Sequence, residues 1–423
     1  YIHTYIYINM GNKAVKSTEQ LAQLCIEGLD DLSLNGANEK SIEQVGLTIQ
    51  AIKNILLGKP ISQLKKKDKD KIISDEDREE LAKLFVKIST NQQGLIEKLI
   101  VNMKYLQVDC KRNIVSILSH LAKTEKTFKD HVALNPQIIE QLVNNYSDHD
   151  YSPETGVCLF TGEILQAFIR FMGEPIVEII LFSGGEKDEH SYMVWNFFKE
   201  YVDIPSFDVQ TQAFNTLKEI FLTKHPKLGV VVRKSAVKLI TNKEQEFFKH
   251  FNKMLQSPTF VTCRQSLMLL HQILFDPEKK TYKAMMHYIN GKANLKIAMN
   301  LLRDSSDQIQ FEAFHLFKVF VLNPKRSDEV THVLSKPKNV KNLTAFLSTF
   351  KDKFKDSHFG SNESGVGYDL FQSELKSVIA GIKALEKKEE EVIEASRQSS
   401  TETGAFGEPI ESGAESGDQG VNR

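Results

Sequence analysis

Cysteine is scarce in this chain, and the few cysteines are spaced in a way that excludes a covalent or metal-based framework. Cys25, Cys110, Cys158 and Cys263 lie dozens of residues apart. They form no C-x-x-C motif and no pair with histidine at the spacing of zinc ligands. We therefore expect reduced thiols in the core, and neither a disulfide framework nor a zinc site.

Long apolar runs and an excess of one charge are also missing. No stretch approaches the roughly 20 apolar residues of a membrane-spanning helix, and the N-terminus lacks the basic start and apolar core of a signal peptide. The 54 Lys and Arg residues nearly balance the 55 Asp and Glu residues. Because such a chain has no global field, nucleic acid is not an expected partner. These absences predict a cytoplasmic protein without a transmembrane segment.

Motifs of catalysis and metal binding are absent too. We find no phosphate-binding or dinucleotide-binding glycine loop, no G-x-S-x-G and no H-E-x-x-H. The nearest approach to a metal site runs from Asp31 to Gly36, which resembles the first half of an EF-hand loop. Its position 8 is Asn38 and its position 12 is Ile42, where a calcium loop needs an apolar residue and a Glu. We expect a turn between two helices, with no metal, no cofactor and no catalytic residue.

Helical periodicity is what the chain does contain. Between residues 309 and 321, apolar side chains recur three and four positions apart, which is typical of a helix buried over most of its circumference. Ser305 or Ser306 can cap its start, and Asn323-Pro324 cannot continue it. The pattern predicts a core helix here.

This helix has relatives elsewhere in the chain. Residues 205–221 align without a gap with residues 258–274 at an offset of 53, and a further offset of 47 leads to the helix at 309–321. Each copy has a small residue followed by large apolar ones: Ala213, Phe214, Leu217 and Ile220 in the first, Ser266, Leu267, Leu270 and Ile273 in the second, Ala313, Phe314, Phe317 and Phe320 in the third. Phe207 aligns with Phe260, and a weaker copy contains Thr161, Leu165 and Phe168. Unless amphipathic helices resemble one another by chance, these periods predict an all-α array of armadillo/HEAT-like repeats.

Composition suggests where this array begins and ends. We assign residues 16–394 to the helical repeat domain, with flexible insertions near 62–80 and 358–368 and a last helix at about 369–394. We expect disorder in residues 1–15 and in residues 395–423, the latter because it contains hardly any large apolar residue. A start at Met10 would expose Gly11 for N-myristoylation, but Val15 stands where that motif prefers Ser or Thr, so an unmodified terminus is the alternative.

Three segments carry a specific resemblance to a known family. They are FFKEYVDIPSFDVQTQAFNTLKEIFLTKH, SPTFVTCRQSLMLLHQILFD and NLKIAMNLLRDSSDQIQFEAFHLFKVFVLNPKR. They closely resemble the calcium-binding protein 39 family, also called the MO-twenty-five scaffold family. The resemblance runs from about Lys16 to Phe354 and is strongest from residue 195 to residue 325.

The resemblance implies a right-handed superhelix of armadillo-like repeats without enzymatic activity. Members of the family bind a kinase or pseudokinase of the STE-twenty/germinal-centre type through a concave surface. A separate C-terminal pocket takes a Trp-Glu-Phe tail. The implied function is a scaffold, monomeric before partner binding, that promotes the active kinase conformation in signalling, polarity or cytokinesis. A HEAT-like adaptor for another assembly, with no kinase link, is the alternative.

The family's tail pocket matches Lys296 and Met299 of this chain. A polarizable Met can pack against an aromatic ring, and a Lys can pair with the carboxylate of the tail. Without the resemblance, Leu295, Met299 and Leu302 would also fit a core stripe of a helix.

The family's kinase-facing surface matches in part. Phe260, Arg264 and Tyr282 stand where the family has an aromatic, an Arg and an aromatic. Cys263 and Met268 depart from the pattern, since the family typically has Lys there. Lys279 is the residue near Pro277-Glu278 that could replace an Arg of the family. Because surface charge governs partner choice, these departures leave the identity of the kinase open.

Overall fold

The computed structural model describes residues 8–10, 13–15, 17–58, 75–87, 94–147, 156–183, 192–358 and 366–402. The chain divides into two compact units, Tyr1–Tyr288 and Ile289–Arg423. The described part is overwhelmingly helical, so the expected all-α class is confirmed. Among the residues described, no helix is both long and apolar enough to cross a membrane.

The first unit contains two short hairpins and most of the helices. Its elements are β1 (Ile8–Met10), β2 (Lys13–Val15), α1 (Thr18–Asn35), α2 (Glu39–Leu57), α3 (Asp75–Lys87), α4 (Leu95–Asn102), α5 (Val108–Thr124), α6 (Lys126–Leu134), α7 (Pro136–Asn144), α8 (Cys158–Met172), α9 (Glu174–Phe182), α10 (Val194–Lys199), α11 (Phe207–Phe221), β3 (Leu222–His225), β4 (Gly229–Val232), α12 (Lys234–Asn242), α13 (Glu244–Leu255), α14 (Phe260–Leu274) and α15 (Tyr282–Asn290), whose last turn crosses the division.

The second unit is helical throughout its described residues. It contains α16 (Lys292–Leu301), α17 (Asp307–Leu322), α18 (Asp328–Ser335), α19 (Pro337–Ser348), α20 (Phe350–His358) and α21 (Val366–Glu402). Helix α21 packs against α17, α18 and α19. Its buried side chains recur four and three positions apart, as expected for a stripe along one helix face: Phe371, Leu375, Val378, Ile382 and Leu385.

Local sequence explains where several helices begin and end. The Ser306 Oγ accepts a hydrogen bond from the Ile309 backbone N–H at 3.5 Å, and α17 ends at Leu322 with Asn323 as its C-cap. The predicted cap and stop are therefore confirmed. The side chain of Asn38 caps α2 in the same way, because its Oδ1 accepts from the Ser41 N–H at 2.8 Å.

The predicted repeat helices are α11, α14 and α17, with α8 as the weaker copy. In each of the three copies the small residue and the large apolar residues that follow it are buried, from Ala213 and Ser266 to Phe320. Within the first unit, α2, α5, α8, α11 and α14 pack in succession, each on the next. The repeat pattern thus reports the faces by which consecutive helices contact one another.

Helices α8 and α11 approach each other closely at Gly162. A Cβ on Gly162 would lie 2.5 Å from the Tyr146 Oη and 2.8 Å from the Gln212 Cγ. The same interface contains a hydrogen bond of 2.9 Å between the hydroxyls of Tyr146 and Thr216, and the Gln166 Nε2 donates to the Thr216 Oγ1 at 3.1 Å. The absence of a side chain at Gly162 is what lets this buried polar contact form.

The hairpin of β3 and β4 interrupts the helices between α11 and α12. The two strands pair antiparallel, with Leu222 opposite Val232 and His225 opposite Gly229. The Arg233 Nε donates to the backbone oxygens of Glu219 and Leu222 at 2.7 and 3.1 Å, which satisfies the carbonyls at the end of α11.

The described elements differ from three expected boundaries. Residues 8–10 and 13–15 form the paired strands β1 and β2, so part of the predicted disordered N-terminus is ordered. Helix α3 occupies 75–87, so the predicted insertion near 62–80 ends by residue 74. Helix α21 continues to Glu402 rather than ending at 394, because polar helix formers extend it past its last apolar turn. Residues 11–12, 59–74, 359–365 and 403–423, with the Gly11 question, lie outside the described residues.

Candidate partner-binding surfaces

Helix α14 presents an aromatic and a cation on one face. Phe260 and Arg264 are four residues apart on this helix, so their side chains lie on the same side. Phe260 begins the helix and is 45% exposed, which is unusual for a large aromatic side chain. Arg264 is half-buried, and its Nε is buried without a hydrogen-bond partner among the described residues. This face can therefore offer a partner an apolar contact beside a positive charge.

A second cation lies beside Arg264. Lys218 on α11 donates a hydrogen bond from its Nζ to the Gln265 Oε1 on α14 at 2.8 Å. Burial, and then the positive charge of Arg264, lower the pKa of Lys218. Two like charges from neighbouring helices thus repel each other, and a carboxylate placed between them would relieve that repulsion.

Tyr282 is the first residue of α15 and is 49% exposed. The preceding loop is held by Asp276, whose Oδ1 accepts from the Val232 N–H at 3.0 Å and whose Oδ2 accepts from the Lys280 N–H at 2.9 Å. Within this loop Lys279 has a φ of 56°, the left-handed region that side chains other than Gly and Asn seldom adopt. The loop is therefore anchored at β4, and its Lys279 and Tyr282 side chains are exposed.

Two departures from the family pattern have different structural meanings. Met268 is half-buried on α14. Cys263 does not belong to the exposed surface, because it is 3% exposed and its Sγ contacts the Leu255 backbone oxygen at 3.3 Å. This burial confirms the expectation that Cys263 is a reduced thiol in the core.

In the second unit, Lys296 and Met299 lie three residues apart on α16 and so share a side of the helix. Lys296 is exposed and Met299 is half-buried, whereas Leu295 and Leu302 are fully buried. The core stripe therefore runs through the two leucines, and Met299 lies at its margin. A residue there can contact a bound ring while remaining anchored by its own helix.

One exposed aromatic was not singled out from the sequence. Phe207 begins α11 and is 68% exposed, although it aligns with Phe260 in the repeat. Because α11 packs on α14, the two side chains occupy equivalent places on neighbouring helices. The signal was present in the alignment, because Phe207 aligns with Phe260, which the family resemblance assigns to a partner-facing surface.

Most of the EF-hand-like segment is helical, because Asp31–Asn35 form the last residues of α1, and the predicted turn between α1 and α2 is limited to residues 36–38. The Asp31 carboxylate accepts hydrogen bonds from Asn35 and Asn38 at 2.6 Å each and from the Ser41 hydroxyl. These bonds, that of Ser41 foremost, lower the pKa of Asp31. In the described part of the chain, no three His, Cys, Asp or Glu side chains converge as metal ligands would.

Known proteins resemble this chain over most of its length. A family model described as Mo25-like matches residues 9–366. A calcium-binding protein 39-like protein of Mus musculus is 32% identical over 331 residues, which cover 77% of this chain and 86% of that protein. A Mo25-like protein of Schizosaccharomyces pombe is 31% identical over 361 residues, covering 84% and 96%. A designed armadillo repeat protein in complex with a (KR)4 peptide is 12% identical and covers 73% of this chain and 99% of its own, but its TM-score of 0.36 carries no weight.

Proposed function

Since the chain belongs to the Mo25-like family, we propose that it is a non-enzymatic cytoplasmic scaffold that binds a kinase or pseudokinase and promotes its active conformation. The partner is of the STE-twenty/germinal-centre type. It binds the surface that contains Phe260, Arg264 and Tyr282 and, through a Trp-Glu-Phe tail, the site at Lys296 and Met299.

The observation that carries this proposal is the exposure of Phe260 on the face that also holds Arg264. Exposed aromatics and arginines are the residue types that dominate binding energy at protein interfaces. The Nε of Arg264 is buried and has no carboxylate partner among the described residues, since it makes no hydrogen bond to any of them. Lys218 adds a second positive charge nearby. An acidic side chain of the partner would meet both cations.

Activation follows from binding alone, without chemistry by the scaffold. A partner kinase exchanges between inactive and active conformations, and a surface that fits the active one better shifts the population towards it. The shift equals the difference between the two affinities, so a preference of about a hundredfold corresponds to about 2.7 kcal/mol.

Activation of a purified germinal-centre-type kinase tests the surface of the first unit. We expect Phe260→Ala and Arg264→Ala each to lower activation by at least about tenfold, the effect of losing a hot-spot side chain. Phe171→Ala is the matched control, because Phe171 is an exposed aromatic of the same unit on α8. Full activation by both α14 variants would overturn the kinase-facing assignment, and failure to activate any such kinase would favour the adaptor alternative.

A fluorescent peptide that ends in Trp-Glu-Phe tests the site of the second unit. We expect saturable binding that weakens in Met299→Ala, through loss of the sulfur–aromatic contact, and in Lys296→Gln, through loss of the ion pair. Lys292→Gln serves as the control, since Lys292 is an exposed lysine on the same helix. Equal binding by wild type and Met299→Ala would show that the tail does not bind at α16.

A further inference from the structure

A small pocket in the first unit lies between α12, the start of α13 and the start of α15. Val237 and Ile240 of α12 and Ala284 of α15 provide apolar lining, while Glu244, Lys280 and Lys283 provide charged lining. The pocket holds about 320 Å³ of empty space, part of it open to solvent. Because this figure includes open solvent, the enclosed space is smaller and suits one small side chain rather than a large cofactor.

Glu244 contributes an acceptor that lacks a donor. Its Oε2 lies 2.7 Å from the Nδ1 of His287. Its Oε1 is buried and has no hydrogen-bond partner within the described residues. A buried acceptor without a donor costs free energy, and it is relieved when a ligand supplies an N–H group.

The charge around the pocket is positive on one side. Lys283 is exposed and makes no ion pair with any described residue, whereas Lys280 pairs with Glu278. The segment from residue 222 to residue 243, which supplies the apolar wall, contains six Lys and Arg residues and no Asp or Glu; none of the six lines the pocket, and Arg233 among them pairs with Glu174. A ligand that carries a carboxylate would therefore be attracted to the rim and held by Lys283.

We propose that this pocket binds an acidic peptide segment of a partner protein. An aliphatic side chain of the segment contacts Val237, Ile240 and Ala284, a neighbouring carboxylate pairs with Lys283, and a peptide N–H donates to the Glu244 Oε1. The site borders the proposed kinase-facing surface, because Tyr282 lies between the pocket residues Thr281 and Lys283, but it does not require that the partner be a kinase.

Methyl NMR of the full chain can test the site with a defined probe, a peptide Glu-Asp-Val-Glu-Glu blocked at both ends. We expect saturable shifts of the Val237, Ile240 and Ala284 methyl signals that shrink as salt is added. The affinity should fall by about tenfold in Lys283→Glu, because a like charge then faces the ligand, and should survive in Lys283→Arg. Lys227→Glu is the matched control, since Lys227 is exposed at the hairpin tip and does not line the pocket.

The remaining outcomes decide against the proposal. Equal shifts with the uncharged peptide Gln-Asn-Val-Gln-Gln would show that the carboxylates are not recognised. Equal loss of affinity in Lys227→Glu and Lys283→Glu would show that the peptide responds to the net charge of the protein surface and not to Lys283 at the pocket. Absence of saturable shifts at these three methyl groups would exclude the pocket as the binding site.

Discussion

Lys218 on α11 and Arg264 on α14 are two cations that the packing of their helices holds close enough to repel each other. The hydrogen bond from Lys218 to Gln265 holds the first at the helix interface, at 2.8 Å. The next pair of helices in the row shows the opposite arrangement, because Arg170 on α8 forms an ion pair with Glu219 on α11 at 2.6 Å. The interface of α11 and α14 thus keeps positive charge available where that of α8 and α11 neutralises it.

Removing the charge of Arg264 should raise the pKa of Lys218. Burial and Arg264 both lower this pKa, and Arg264→Gln removes the second cause while leaving a polar side chain. A pH titration of the Lys218 side-chain signals by NMR measures the change. Arg170→Gln is the control, since its charge is paired with Glu219; an unchanged titration in Arg264→Gln would show that the two cations do not interact.

Gly162→Ala should destabilise the first unit by about 1–3 kcal/mol, the usual cost of overpacking a core. The added Cβ would lie 2.5 Å from the Tyr146 Oη and would disturb its bond to Thr216. Gly46→Ala is a matched control, because that helical glycine has open space around it, and Ala there should stabilise by about 0.5–1 kcal/mol. Urea unfolding measures both; equal and small effects would contradict the close approach of α8 and α11.

Phe207 and Phe214 belong to one helix, but truncating them should change the free energy of unfolding by very different amounts. Phe214 is 1% exposed, so Phe214→Ala should cost about 3–5 kcal/mol of the free energy of unfolding. Phe207 is mostly exposed, so Phe207→Ala should change it by less than about 0.5 kcal/mol. If Phe207 extends the aromatic surface of Phe260, its variant will weaken kinase activation without lowering the unfolding midpoint, whereas a large loss of stability would mean that it is a packing residue.

Lowering the pH should reduce the stability of the first unit, partly through protonation of His250. Burial and then the charge of Lys199 lower the pKa of this histidine, whose ring lies 4.9 Å from that of Trp195. In the unfolded chain His250 binds a proton at about its ordinary pKa of 6.5, whereas in the folded chain it does so only at a lower pH. The free energy of unfolding therefore falls as the pH drops below 6.5, and it levels off below the pKa of the folded state.

Unfolding midpoints in urea between about pH 7.5 and pH 5.5 measure this loss. The decline should be shallower in His250→Gln. His120→Gln should flatten it independently, because burial lowers the pKa of His120 as well. An unchanged decline in the double variant would assign the acid sensitivity to other groups.

The sequence by itself determined the helical class, the repeat register and several helix ends. These follow from short-range chemistry: apolar residues three and four apart define a buried face, and Ser306 or Asn38 supplies a cap from its own side chain. The burial of Ala213, Ser266 and Ala313 confirms that register. Family membership could also be recognised from the sequence, because the matching segments lie in the repeat helices.

Only the tertiary structure decided which of these residues face outward. Helical spacing assigns Phe207 and Phe214 to similar patterns, yet exposure depends on how far the neighbouring helix extends. The same holds for Met299, which lies at the margin of a core stripe rather than within it. The electrostatic features also depend on tertiary structure. Lys218 and Arg264 are distant in sequence and repel each other only because their helices pack, and the Glu244 Oε1 lacks a hydrogen-bond donor only because packing buries it.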